Sequence, residues 1–97
     1  MSDQVMAIDQ GTHSTRAILF DDAGQIICSA QQAIGLKRLD HSAVEQSPDE
    51  ILQSMQAVIS RILEDPATRR GDIRCAGLAT QRSSVLAWAR DTGKPLS

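Results

Sequence analysis

Asp9, Gly11, Thr12, Ser14, Thr15 and Arg16 crowd into one short stretch, Asp-Gln-Gly-Thr-His-Ser-Thr-Arg, between two apolar runs (5–8 and 17–20). The set holds one carboxylate, three hydroxyls, one cation and a glycine. A residue without a side chain lets backbone N–H groups come close to a ligand. Such an inventory suits a phosphate and its metal: N–H and O–H groups meet phosphate oxygens, and the carboxylate holds Mg²⁺ directly or through water. Turns of this composition most often only connect strands. Here the chemistry is richer than a connector needs.

These residues need a rigid frame. Two short apolar runs around a small polar turn read as a β-hairpin, with strands over 4–9 and 15–20. Asp21-Asp22-Ala23-Gly24 is a turn with a glycine available for positive φ, and 25–34 is a third strand, completing an antiparallel meander. Residues 35–46 show no period and form a long connection; His41, within it, reads as solvated surface. Ser47-Pro48-Asp49-Glu50 starts a helix. Ser47 is the cap, Pro48 takes the first helical position, and Glu50 completes a capping box. Ile51, Leu52, Met55, Val58, Ile59, Ile62 and Leu63 mark its apolar face. Asp65-Pro66 ends the helix or forces a restart.

Residues 73–79 are dense in small apolar side chains, as in a strand covered on both faces. A strand after a helix implies a crossover, so this strand is expected to run parallel to one of the first three. Thr80-Gln81-Arg82-Ser83 follows its C-terminal end, where ligands of open α/β sheets sit. A fifth strand is expected over 85–89, then a turn at 91–95. Only two residues follow Pro95, which leaves that turn without a partner strand and the sheet with an exposed edge.

Ninety-seven residues make at most one domain with a modest core. The net charge of −2 and the lack of a basic block argue against nucleic acid or an anionic membrane as a main partner. No apolar run approaches the roughly 18 residues of a membrane span. The first residues lack the features of a signal peptide, so a cytoplasmic location is expected. Cys28 and Cys75 then read as buried free thiols. No G-x-x-x-x-G-K-[ST] string occurs, which excludes a P-loop enzyme.

The string D-Q-G-T-x-S-x-R at 9–16 resembles the first phosphate-binding hairpin of the sugar-kinase/Hsp70/actin superfamily. Three more segments are similar to the FGGY family of carbohydrate kinases, and within it to the glycerol-kinase branch. They are Val44-Glu45-Gln46-Ser47-Pro48-Asp49-Glu50-Ile51, the strand and loop from Ile73 to Arg82, and Trp88 with Asp91-Thr92-Gly93-Lys94-Pro95. An actin- or Hsp70-like ATPase shares the hairpin but leaves the 80–82 loop unexplained.

The resemblance implies an α/β, ribonuclease H-like fold, here incomplete, with residues 1–97 forming part of an N-terminal domain. It implies ATP and Mg²⁺ as cofactors and a small polyol or sugar as substrate. Asp9 would organise the metal and Gly11, Thr12, His13 and Ser14 the nucleotide phosphates. Arg16 would neutralise charge on the transferring group, the main demand of phosphoryl transfer. Gln81, Arg82 and Ser83 would form the substrate loop.

Two residues depart from the glycerol-kinase pattern. His13 replaces a Thr, and Ser83 stands where a Glu binds glycerol; a hydroxyl is a weaker acceptor than a carboxylate. The family's catalytic Asp and adenine-binding domain lie later in the chain, so these 97 residues are expected to be inactive alone. A small non-catalytic module that self-associates through the exposed edge is the alternative.

Overall fold

The computed structural model describes residues 2–38, 44–81 and 86–95. Strands β1 (Ser2–Gln10), β2 (Ser14–Phe20) and β3 (Ile26–Ala33) form the expected antiparallel meander. A two-stranded ribbon follows, β4 (Lys37–Arg38) with β5 (Val44–Glu45), inside the segment that carries no sequence period. Helix α1 spans Pro48–Glu64, a 3₁₀ turn covers Pro66–Arg70, and β6 runs from Gly71 to Thr80. The sheet order is β3-β2-β1-β6, with β6 parallel to β1. The crossover from the meander through α1 thus ends beside the first strand.

Alternation along the strands decides which face is covered. Gln4, Met6, Ile8 and Gln10 are buried, while Asp3, Val5 and Asp9 are exposed. Thr15, Ala17 and Leu19 continue the buried face on β2. Val58 and Ile62 of α1 pack against Met6, Ile8, Ala17 and Leu19, with Met55 and Ile59 at the margin. The helix lies over β2 and β3 and touches β1 only lightly. Its buried stripe includes Ser54, whereas Leu52 and Leu63 are exposed and fall outside the face expected for them.

The helix start follows local rules only in part. Ser47 Oγ accepts from the Glu50 N–H at 3.2 Å, as a cap should. The Glu50 carboxylate does not return to Ser47. It accepts from the Gly35 N–H at 2.6 Å and ties the end of the meander to the helix. At the other helix end, Asp65 Oδ1 accepts from Ala67 N–H and starts the 3₁₀ turn. The turn after β2 forms as read, with Gly24 at φ +80°.

Three expectations are corrected. β6 is exposed from Arg74 to Thr80 rather than covered on both faces, because α1 lies over β2 and β3. Cys75, on that strand, is exposed, and Cys28 is half-buried beside Thr68; both are free thiols. Within 86–89 there is no fifth strand, only a single antiparallel bridge from Trp88 to Pro95, because the turn folds back on itself. There Ala89 N–H donates to Lys94 O at 2.7 Å, and Gly93 takes φ +75°. Val85 and His41 lie outside the described residues.

Two buried polar contacts bear on stability. Ser54 Oγ donates to Ile51 O at 2.6 Å, so Thr15 must donate in its 2.7 Å bond to Ser54. Thr15→Val keeps the shape and removes that donor. Urea unfolding is expected to show a loss of about 1 kcal/mol with an unchanged slope; equal midpoints for the two proteins would contradict it. Gln4 is 2% exposed and its Oε1 has no partner among the described residues. It sits where the β1–β6 register shifts. Gln4→Met removes the orphaned acceptor at similar volume, and a gain of about 1 kcal/mol is expected in the same assay; a loss would show that Gln4 is satisfied in solution.

Candidate functional site

The turn between β1 and β2 stands at the sheet end where β1 and β6 both finish. Gln10 and Thr80 are in register, so the segment after β6 leaves beside the hairpin. Gln10 with Thr15 is the last pair of the ladder before the turn, and Asp9 pairs with Arg16 one step below it. Both side chains are exposed, on the face that α1 leaves open. Opposite charges face each other there, yet the ion pair among the described residues is elsewhere: Arg74 Nε meets Asp3 Oδ1 at 2.9 Å. That hydrogen bond, with the charges of Asp3 and Asp72, raises the Arg74 pKa. Asp9 and Arg16 remain unengaged among the described residues.

The turn itself is held by its carbonyls. Gly11 N–H donates to Ser14 O at 2.9 Å across the loop. A Cβ at Gly11 would stand 3.2 Å from that same oxygen. Close packing, and not a positive φ, is therefore what favours glycine here. The carbonyl of Gly11 accepts from Gln10 Nε2 at 2.8 Å, that of Thr12 from Gln46 Nε2 at 2.6 Å, and that of His13 from Ile34 N–H at 3.0 Å. Among the described residues, no acceptor meets the amides of Thr12 and His13. Ser14 Oγ accepts from Gln31 Nε2 at 2.9 Å and keeps its own proton to donate.

Thr15 leaves the set. It is fully buried under α1 and bonded to Ser54, so only Thr12 and Ser14 offer hydroxyls at the turn. Of the segment after β6, Gln81 is brought to the hairpin. Its Nε2 donates to Gln46 Oε1 at 2.9 Å and to Gln10 Oε1 at 3.3 Å. Arg82 and Ser83 lie outside the described residues. Gln46 and Gln10 were not singled out by their own chemistry, since a carboxamide carries no sequence signal until its partners are known.

The donor set fits a phosphate with its cation. Two free amides and two hydroxyls suit phosphate oxygens, and an exposed guanidinium adds positive charge. Among the described residues no three His, Cys, Asp or Glu side chains cluster. Mg²⁺ asks for less, one or two carboxylates with the rest water and phosphate, and Asp9 supplies one.

The N-terminal domain of the FGGY family of carbohydrate kinases matches residues 4–97. The chain is 41% identical over 93 residues to a glycerol kinase of Acinetobacter baylyi, covering 96% of this chain and 19% of that protein. It is 41% identical over 92 residues to a glycerol kinase of Stenotrophomonas maltophilia, covering 95% and 18%. The crystal structure of Plasmodium falciparum glycerol kinase with ADP superposes with a TM-score of 0.89 at 28% identity, over 99% of this chain and 19% of that one. Gluconate kinase from Lactobacillus acidophilus shares the fold, with a TM-score of 0.85 at 20% identity over 100% of this chain and 19% of that one. The chain thus spans about a fifth of the length of the relatives it matches. By these matches the chain belongs to the FGGY family of carbohydrate kinases, its residues 4–97 matching the family's N-terminal domain.

Proposed function

We propose that this chain is the N-terminal part of a cytoplasmic, ATP-dependent polyol or sugar kinase, carrying half of a phosphate site and inactive alone. The observation that supports it best is the turn at 11–14: its carbonyls are all held by protein donors, and its free amides stand with Asp9 and Arg16 at one sheet end. In that reading Gly11, Thr12, His13 and Ser14 line the phosphates. Asp9 holds the metal, and Arg16 offsets the charge of the transferring group. Mg²⁺, when bound, neutralises phosphate charge. Phosphoryl transfer asks mainly for positioning and charge stabilisation, and these residues supply one side of both.

The substrate end is the segment of Gln81, Arg82 and Ser83. A neutral Ser83 accepts more weakly than a carboxylate, which favours a polyol or sugar other than glycerol. The base that activates the substrate hydroxyl and the adenine pocket belong to the remainder of such a kinase.

Calorimetric titration with Mg·ADP and Mg·ATP tests the phosphate site. Binding that weakens about tenfold in Asp9→Asn is expected, the scale of one lost charge-assisted contact. Equal affinity in the variant would remove Asp9 from the site, and turnover of any polyol by the 97-residue chain would overturn its inactivity.

A second reading, a self-associating module without catalysis, is favoured by the surface of the chain. The accessible area is 7036 Å², against about 5,400 Å² expected for a folded monomer of this mass. β6 offers a free edge and Leu78 at 56% exposure, and Trp88 is 60% exposed. Unpaired edges recruit strands. Light scattering is expected to show a mass that rises with concentration; a constant monomer mass would reject this reading.

A further inference from the structure

Three glutamine carboxamides form a chain that starts and ends on the hairpin. Gln46 Nε2 donates to the carbonyls of Thr12, at 2.6 Å, and Gly35, at 3.2 Å. Two carbonyls on one side fix which way this amide faces, since a flip would set oxygen against oxygen. Gln46 Oε1 is therefore turned toward Gln81, whose Nε2 donates to it at 2.9 Å and to Gln10 Oε1 at 3.3 Å. With its oxygen so engaged, Gln10 gives Nε2 to the Gly11 carbonyl at 2.8 Å. Each amide orientation dictates the next. The two ends of the chain hold the carbonyls of adjacent residues, Gly11 and Thr12. Gln10 is buried, at 5% exposure, while Gln46 and Gln81 are half-buried, and a polar network holds one geometry when every member is satisfied.

The consequence for the turn follows from peptide geometry. In a planar trans peptide the C=O and the next N–H point in opposite directions. Drawing the Gly11 carbonyl to Gln10 turns the Thr12 N–H away from it. Drawing the Thr12 carbonyl to Gln46 does the same for the His13 N–H. These are the two amides without an acceptor among the described residues. Successive N–H groups turned outward make an anion-binding concavity.

We propose that Gln10, Gln46 and Gln81 are positioning residues that hold the Thr12 and His13 amides outward as an anion cradle, and that Gln81 links this cradle to the segment after β6. The anion is the phosphate of a nucleotide, so the proposal rests on the phosphate-site reading above. Through its bonds to Gln46 and Gln10, Gln81 is linked to the carbonyls of Thr12 and Gly11. A change of state in the segment after β6 that moves Gln81 frees both partner oxygens and loosens the cradle.

The test uses the ¹³C,¹⁵N-labelled 97-residue chain. In the wild type, scalar coupling across the hydrogen bond is expected between Gln46 Nε2 and the Thr12 carbonyl carbon; its absence overturns the proposal without any substitution. Gln81→Glu puts an acceptor where a donor is needed. The Thr12 and His13 amide resonances are expected to move while the melting temperature stays within that of the wild type, and Mg·ADP affinity to fall about tenfold, the scale of one lost hydrogen bond. Gln46→Met, which keeps the length and cannot donate, is expected to reproduce the shift. Unmoved Thr12 and His13 resonances in a folded Gln81→Glu chain would break the link. If the wild type binds no Mg·ADP while the amides respond as expected, the phosphate reading fails in the isolated chain and the positioning role stands.

Discussion

The rest of the structure depends on one apolar contact, Val58 and Ile62 of α1 against Ala17 and Leu19 of β2, all essentially free of solvent. Burying such side chains contributes about 1.5–3 kcal/mol each for the larger ones. Among the described residues no other layer covers the sheet, so this contact sets which way every strand residue faces. Strand periodicity is two, and a slip of one residue would exchange the faces. With Ala17 and Leu19 under the helix, Thr15 must also point inward, and Arg16 must point out. The contact that builds the core thereby sorts the hairpin into residues that serve packing and residues that meet solvent.

That sorting gives the turn its chemistry. Thr15 is drawn into the core and satisfied by Ser54. Asp9 and Arg16, one residue along on each strand, emerge as a cross-strand pair on the open face. The turn between them closes one backbone bond of its own, Gly11 N–H to Ser14 O, and leaves the carbonyls of Gly11, Thr12 and His13 to other donors. It borrows donors from the rest of the fold: Gln10 from β1, Ile34 from the end of β3, and Gln46 from the approach to α1. A backbone whose carbonyls are satisfied from one side presents its amides on the other, so the anion-binding character of the turn is a product of the whole fold.

The helix covers only part of the sheet, which explains the exposed surface of β6. Its small apolar residues suit an interior strand, and among the described residues no layer lies above or below them from Arg74 to Thr80. Within the FGGY family this chain corresponds to about a fifth of the full length. The exposure of Leu78 and Trp88 is of a piece with a segment whose apolar surface needs more cover than α1 provides.

The sequence by itself determined the elements whose signals are local. The meander, the Ser47 cap, the helix stop at Asp65-Pro66, the positive φ of Gly24 and the parallel return strand depend on contacts a few residues apart or on crossover topology, and all are observed. It also marked Asp9, Gly11, Thr12, His13, Ser14 and Arg16 as one chemical cluster, because they are neighbours in the chain. What only the tertiary structure decided lies in pairs far apart. Thr15 with Ser54, Glu50 with Gly35, and Gln81 with Gln10 and Gln46 join residues 15 to 71 positions apart. Hydroxyls, carboxylates and carboxamides form good bonds with many partners, so their local context does not specify which one they meet. Coverage of β6 was misread for a related reason: composition records how apolar a strand is, and only packing decides whether anything lies over it.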